Sequence, residues 1–131
     1  MKTQRILIVE DNPMNMELAA DLLEVAGFAV VLAKTAEEGL ALASTDKPDL
    51  ILMDIGLPGM DGLEATRRLK QNPATANIPV VAVSASVMSG DEAKAFAAGC
   101  CGYISRPIDT RQFAKTVAGY LTTPPHTEAA S

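Results

Sequence analysis

Short apolar runs alternate along the chain with segments in which apolar residues recur every three or four positions. Uninterrupted apolar runs of this length are typical of strands that are covered on both faces of a parallel sheet. They predict five strands, at residues 5–9, 28–33, 50–54, 78–83 and 102–105. The segments between the runs have helical periodicity, so strands and helices are expected to alternate through the chain.

Capping signals mark where helices begin. Asn12 can cap the first helix, Thr35 and Glu38 form a capping box that opens the second, and Asp61 is best explained as the start of the third. Residues 109–112 resemble another capping arrangement, which opens the last helix. The apolar side of the first helix is indicated by residues that recur at three- and four-residue steps: Met14, Leu18, Leu22 and Val25.

Five strands that alternate with five helices predict right-handed βαβ units and an α/β fold. We expect a doubly wound (βα)5 domain with a five-stranded parallel sheet in the flavodoxin-like order 2-1-3-4-5. The 131-residue chain is long enough for one well-buried core and too short for two ordinary domains. Residues 1–121 are expected to form this domain, and residues 122–131, which contain two prolines and no large apolar side chain, a disordered tail.

Composition argues against several classes of function. The chain has 11 Lys and Arg residues against 16 Asp and Glu residues, and this net charge of −5 argues against a nucleic-acid surface. No apolar run approaches the roughly 18 residues that span a bilayer, so we expect a cytoplasmic protein without a membrane role. Cys100 and Cys101 are adjacent, which suits neither zinc nor thioredoxin-like chemistry, and we interpret them as buried or half-buried free thiols.

Polar residues stand where the predicted strands end. They are Glu10 and Asp11 after the first strand, Asp54 after the third, Ser84 after the fourth and Arg106 after the fifth. Ligands of open α/β sheets bind outside the carboxyl ends of the strands, so we expect these side chains to converge. Three neighbouring carboxylates repel one another unless a cation joins them, and an all-oxygen site suits Mg²⁺.

The same set of residues suits phosphoryl transfer. Asp54 can ligate the ion with one oxygen and attack a phosphorus atom with the other, which forms an aspartyl phosphate. The Ser84 hydroxyl can donate a hydrogen bond to a phosphoryl oxygen, and Arg106 adds one positive charge. We therefore assign Asp54, Ser84 and Arg106 as the candidate catalytic residues.

Four sequence stretches closely resemble the receiver domain of two-component response regulators. They are Ile-Leu-Ile-Val-Glu-Asp-Asn, Leu-Ile-Leu-Met-Asp-Ile, Pro-Val-Val-Ala-Val-Ser-Ala and Tyr-Ile-Ser-Arg-Pro-Ile. The resemblance covers residues 5–121 and is strongest to the stand-alone, DivK-like branch. It implies that Asp54 is the phosphoacceptor and that Glu10, Asp11, Asp54 and the Gly56 carbonyl form the metal site.

The resemblance also implies which residues respond to phosphorylation. Ser84 matches the switch hydroxyl of the family, Tyr103 its switch aromatic residue, and Pro107 a proline that follows a cis peptide bond. One position departs from the family pattern, because Arg106 stands where the family carries lysine. Its guanidinium keeps the positive charge but can bind a carboxylate bidentately, so a resting ion pair with Asp54 or Asp11 would weaken switching.

We predict a single-domain response regulator that accepts a phosphoryl group on Asp54 from a histidine kinase or a histidine phosphotransfer protein. Phosphorylation-dependent contacts with a downstream protein would be its output. The chain is expected to catalyse only its own phosphotransfer and dephosphorylation, and to be a monomer or a weak dimer.

Two alternatives remain open at this point. One is a pseudo-receiver whose switching is weakened by Arg106. The other is a Mg²⁺-dependent phosphohydrolase, although the haloacid-dehalogenase family has a second Asp two residues after its nucleophile, where this chain has Gly56. A flavin-binding protein is disfavoured, because the chain has no tryptophan and only two tyrosines to stack on a flavin.

Overall fold

The computed structural model describes residues 3–57, 59–84, 91–105 and 108–122, within which five strands alternate with five helices. The strands are β1 (Arg5–Val9), β2 (Ala29–Ala33), β3 (Leu50–Asp54), β4 (Val80–Ser84) and β5 (Gly102–Ser105). The helices are α1 (Pro13–Val25), α2 (Ala36–Asp46), α3 (Gly62–Gln71), α4 (Asp91–Ala98) and α5 (Phe113–Thr122). None of these helices has the length and apolar character that a membrane span requires.

The strands form one parallel sheet in the order β2-β1-β3-β4-β5, which confirms the predicted topology. Val9 at the end of β1 pairs with Met53, and Asp54 at the end of β3 pairs with Val83. The three central strands therefore end at nearly the same level. Glu10 follows Val9 directly and lies beside the end of β3, so the carboxyl edge of the sheet gathers acidic residues from two strands.

Helices cover the sheet on both faces. Side chains alternate along a strand, so each central strand contributes to two separate clusters. On one face the strand residues pack with α2, α3 and α4, and they include Leu7, Val9, Ile51, Met53, Val80 and Ala82. On the other face they pack with α1 and α5, and they include Ile6, Ile8, Leu50, Leu52, Val81 and Val83. All residues of β3 and β4 are buried, which explains why their sequences are almost entirely apolar.

Helix α1 is present where predicted, but its apolar stripe faces the solvent. Met14 is 79% exposed, Leu18 40% and Val25 89%, while Leu22 is half-buried. The buried side is formed by a second set of residues that also lie on one side of a helix: Met16, Ala19, Ala20 and Leu23. Both sets recur at helical steps, so periodicity identified the helix and not the side that packs. The two alanines allow α1 to lie close against the sheet.

The predicted capping box of α2 is present with one difference. The Glu38 N–H donates to Thr35 Oγ1 at 3.0 Å, as expected for the cap. The reciprocal bond comes from the N–H of Lys34 to Glu38 Oε1 at 2.7 Å, one residue before the cap itself. The box therefore also anchors the end of β2.

Helix α5 begins at Phe113, later than residues 109–112 indicate. The side chain of Asp109 does accept a backbone N–H. The donor is Arg111, whose N–H lies 3.0 Å from Asp109 Oδ1, and this bond closes a short turn ahead of the helix. The helix ends at Thr122, one residue beyond the predicted domain boundary. The rest of the predicted disordered tail, residues 123–131, lies outside the described part of the chain.

Strands β2 and β4 begin one and two residues later than their apolar runs predict. The Ile78 N–H donates to the Thr75 carbonyl at 3.0 Å, and Pro79 has no N–H to give to a neighbouring strand. The Phe28 N–H donates to the Leu23 carbonyl at 3.0 Å and so belongs to the end of α1. Local hydrogen bonds therefore set both strand starts.

The two cysteines lie on opposite faces of the sheet. Cys100 belongs to the cluster under α2, α3 and α4, whereas Cys101 packs against the cluster under α1 and α5. Both are free thiols, one buried and one half-buried, as predicted. Burial raises the pKa of each thiol, and the Cys100 Sγ also makes a long hydrogen bond to Thr66 Oγ1 at 3.9 Å. The pair therefore serves as core filling and not as a shared redox centre.

Cys100 is expected to resist alkylation in the folded protein. Only the thiolate reacts readily, and burial both raises the pKa of this thiol and shields its sulfur atom. Iodoacetamide at about pH 8 should therefore label Cys100 at least about tenfold more slowly in native protein than in urea-unfolded protein. Mass spectrometry of a digest measures both rates, and equal rates would contradict the described burial.

Candidate functional site

Three carboxylates meet at the carboxyl edge of the sheet. Glu10 and Asp11 lie in the connection from β1 to α1, and Asp54 is the last residue of β3. One oxygen from each lies within 4.8 Å of the others. The structure thus brings together the three acidic residues that the strand ends predicted.

Glu10 is buried and rigidly held. It is 4% exposed, and its N–H donates to the Ala33 carbonyl at 3.0 Å, which extends the pairing of β1 with β2. Its Oε2 accepts the N–H of Asn12 at 3.0 Å. Asn12 is the N-cap of α1 and accepts the N–H of Asn15 at 3.0 Å, as predicted. One short segment therefore fixes both the carboxylate and the start of the helix.

Asp54 is also buried, at 6% exposure, and its carboxylate is oriented by the backbone that follows it. The N–H of Gly56 donates to Asp54 Oδ1 at 2.8 Å. The N–H of Ile55 donates to the Val83 carbonyl at 3.1 Å, so the pairing of β3 with β4 continues one residue past Asp54. The carboxylate is thus held at the end of a rigid strand. The metal-binding role of the Gly56 carbonyl stays a prediction.

The charges of the cluster favour a cation. Two anionic groups about 4.8 Å apart repel each other by about 3 kcal/mol at an effective dielectric constant near 20. Two of the three carboxylates, Glu10 and Asp54, are buried, whereas Asp11 is exposed. Oxygen-only donors at this spacing suit a hard divalent ion such as Mg²⁺. The donor set therefore fits the predicted metal.

Gly62 is a site residue that the sequence did not single out. A Cβ at this position would overlap the Asp54 carbonyl oxygen and would lie 2.8 Å from the Ile55 Cα. The first turn of α3 therefore packs directly against the end of β3. Asp61 is the N-cap of this helix and accepts the N–H of Glu64 at 2.9 Å, which confirms its interpretation as a helix start. A glycine just after an N-cap is the signal that could have revealed this close approach.

A small cavity of about 20 Å³ lies beneath the cluster, and it is large enough for one water molecule. Its polar lining comes from Glu10, Asp54 and Asn15, and its apolar lining includes Phe113 and Ile108. Asn15 was also missed by the sequence argument, because an asparagine in the first turn of a helix gives no functional signal. Its position beside two buried carboxylates follows only from the fold.

Two of the four remaining predicted site residues lie on described strands. Ser84 is the last residue of β4, is 3% exposed and pairs with Ser105, so it ends the strand next to Asp54. Tyr103 is half-buried on β5, pairs with Ala82 and packs against the cluster under α2, α3 and α4. Their switch roles stay predictions. Arg106 and Pro107 lie outside the described residues.

Residues 6–118 match the family model of the response regulator receiver domain. The chain is 45% identical over 119 residues to the polar-differentiation response regulator DivK of Brucella ovis, covering 91% of this chain and 97% of DivK. It is 46% identical over 116 residues to the DivK of Brucella anthropi, covering 88% of this chain and 94% of that protein.

Solved structures with the same fold have similar sequences at lower identity. A CheY-like response regulator receiver domain protein from Methanospirillum hungatei JF-1 has a TM-score of 0.85 and 28% identity, covering 92% of this chain and 95% of that one. The receiver domain of a sensor histidine kinase from Pseudomonas aeruginosa PAO1 has a TM-score of 0.85 and 29% identity, covering 93% of this chain and 100% of its own. That structure is described with a magnesium ion coordinated in the active site cleft.

Proposed function

This chain belongs to the response regulator receiver domain family, and we propose that Asp54 is the residue on which it accepts a phosphoryl group. Receiver domains of two-component systems are signalling modules that take phosphoryl groups from kinases and signal to downstream targets. The observation that carries the assignment is the position of Asp54: a buried carboxylate at the end of β3, beside Glu10 and Asp11. The comparisons support neither the phosphohydrolase nor the pseudo-receiver alternative.

Asp54 would act as the nucleophile. One of its carboxylate oxygens attacks the phosphorus of a phosphohistidine, the P–N bond breaks, and an aspartyl phosphate forms. The hydrogen bond from Gly56 to Asp54 Oδ1 fixes the plane of the carboxylate in advance. Such positioning matters because phosphoryl transfer depends mainly on alignment and charge neutralisation.

Glu10, Asp11 and Asp54 would hold Mg²⁺, with the Gly56 carbonyl as a further ligand. When bound, the ion supplies the positive charge that offsets the carboxylates and the phosphoryl oxygens. Glu10 is tied to the backbone of Asn12, so it would keep its position with or without the ion. Asp11 is exposed and would be the ligand that adjusts as the ion enters.

Four further residues complete the proposal. The Ser84 hydroxyl, at the end of the neighbouring strand, would donate a hydrogen bond to a phosphoryl oxygen. Arg106 would contribute positive charge, in the place where the family carries lysine. Tyr103 and Pro107 would take part in the rearrangement of the β5 side of the domain that follows phosphorylation. The phosphoryl donor would be a histidine kinase or a histidine phosphotransfer protein, and the output a contact with a downstream protein.

Phosphorylation is expected to depend on a divalent cation. In the presence of Mg²⁺ and a small donor such as acetyl phosphate, intact-protein mass spectrometry should detect the addition of one phosphoryl group. Chelation with EDTA should lower the labelling rate by about a hundredfold or more, because the clustered carboxylates then repel the anionic donor. Labelling at the same rate in EDTA would contradict the proposed metal site.

A further inference from the structure

We propose that the groove between α1 and β2 is a docking surface for a basic amphipathic segment of a partner protein. The groove has a volume of about 530 Å³ and runs along α1 and the edge strand β2. At one end the groove reaches Glu10 and Asp11, so a segment bound there would lie against the acidic site. The proposal rests on the shape, floor and charge of the groove and does not require that Asp54 is the phosphoacceptor.

The floor of the groove is apolar. Met16 and Ala20 form its helix side, and both are buried beneath it. Leu32 forms its strand side and is 44% exposed, although it lies in a strand that pairs with the sheet along one edge. A large apolar side chain left half in solvent at a sheet edge, beside a helix, is a feature that a partner can cover.

The rim of the groove is strongly acidic. Glu17, Asp21 and Glu24 recur at four- and three-residue steps along α1, line the groove and are all exposed. Within the described residues, the ion pairs are those of Glu64 with two arginines on α3, so these three carboxylates have no cationic partner there. Lys34 is the single basic residue in the lining.

This combination specifies the chemistry of the occupant. It must carry Lys or Arg to meet the rim and at least one large apolar side chain to cover Leu32. The three carboxylates span about 10 Å along the helix axis, which two turns of a helical segment would match. Nucleic acids and anionic membranes are repelled by this charge. A second copy of the chain suits the rim poorly, because the chain itself carries a net charge of −5.

The probe for this proposal is a synthetic helical peptide whose lysines recur at four- and three-residue steps beside a row of leucines. Amide NMR shifts of the full chain should change for Met16, Ala20 and Leu32 when the peptide is added. A scrambled peptide of the same composition should bind at least about tenfold more weakly. Equal binding of both peptides, or shifts centred on another surface, would overturn the proposal.

Variants of exposed residues test the two halves of the groove separately. Asp21→Lys and Leu32→Asp should each weaken peptide binding by about tenfold, whereas Lys34→Glu should strengthen it. Glu92→Lys on α4 makes the same charge change as Asp21→Lys away from the groove, and it should change the affinity less than about twofold. An equal loss in the Glu92 variant would show that only net charge matters and would refute a specific site.

A measurement of the oligomeric state tests whether the groove binds a second copy of the chain instead. Sedimentation of the chain without peptide should show the same mass for the unchanged protein and for Asp21→Lys. A dimer that this substitution dissociates would mean that the groove binds a second copy of the chain, which would overturn the assignment to a basic partner segment. Near-identical circular dichroism spectra of the variants would exclude unfolding as the cause of any loss.

Discussion

Asp54→Asn is expected to abolish phosphorylation. The amide keeps the shape of the side chain, and its oxygen can still accept the Gly56 N–H that now binds Asp54 Oδ1 at 2.8 Å. It has no anionic oxygen to attack phosphorus, so no acyl phosphate can form. Intact-protein mass spectrometry with acetyl phosphate and Mg²⁺ should therefore show no added phosphoryl group in this variant.

Stability separates this loss of chemistry from a loss of fold. Asparagine keeps the size of the side chain and can still accept the N–H of Gly56, so the fold should be retained. Urea denaturation in EDTA should give a single cooperative unfolding transition, as for the unchanged protein. Asp21→Asn removes an exposed carboxylate outside the cluster and should leave labelling unchanged. Persistent labelling of Asp54→Asn would move the acceptor to another residue.

Asp11→Asn is expected to reduce Mg²⁺ affinity by about tenfold or more. Asp11 is the exposed member of the cluster, so the substitution removes one ligand charge at little structural cost. The two buried carboxylates, Glu10 and Asp54, remain, so the variant should still bind the ion but with lower affinity. Labelling by acetyl phosphate should fall with the affinity and recover in part at high Mg²⁺ concentration.

A titration measured by NMR or by calorimetry tests this expectation, with Asp21→Asn as the matched control. Both substitutions remove one exposed aspartate charge in or beside α1, but only Asp11 belongs to the cluster. Equal affinities for Asp11→Asn and for the unchanged protein would remove Asp11 from the metal site. A similar loss in both variants would indicate a general effect of net charge.

Most of the fold could be predicted because the sheet is parallel and its centre is buried on both faces. The residues of β3 and β4 are all buried, so their apolar runs had one simple explanation. The orientation of α1 could not be predicted in the same way. Met14, Leu18 and Val25 have the spacing of a buried stripe, yet the side that contains Ala19 and Ala20 faces the sheet. Periodicity identifies a helix, and only packing selects which side is buried.

The site was predictable to the extent that strand ends are predictable. Parallel strands that end at one level place the residues at or just after their ends on the same edge of the sheet, which brings Glu10, Asp11 and Asp54 together. Gly62 and Asn15 were missed for a different reason. Their importance comes from how closely a helix approaches a strand or a cavity, and no local pattern in the sequence encodes such distances.

The most direct test of the account locates the acyl phosphate itself. After treatment with acetyl phosphate and Mg²⁺, borohydride reduction converts a phosphorylated aspartate into homoserine, which tandem mass spectrometry of a digest can assign to one position. We expect homoserine at position 54 alone, and none when EDTA is present during labelling. Homoserine at Asp11 or at another aspartate, with Asp54 unmodified, would contradict the account.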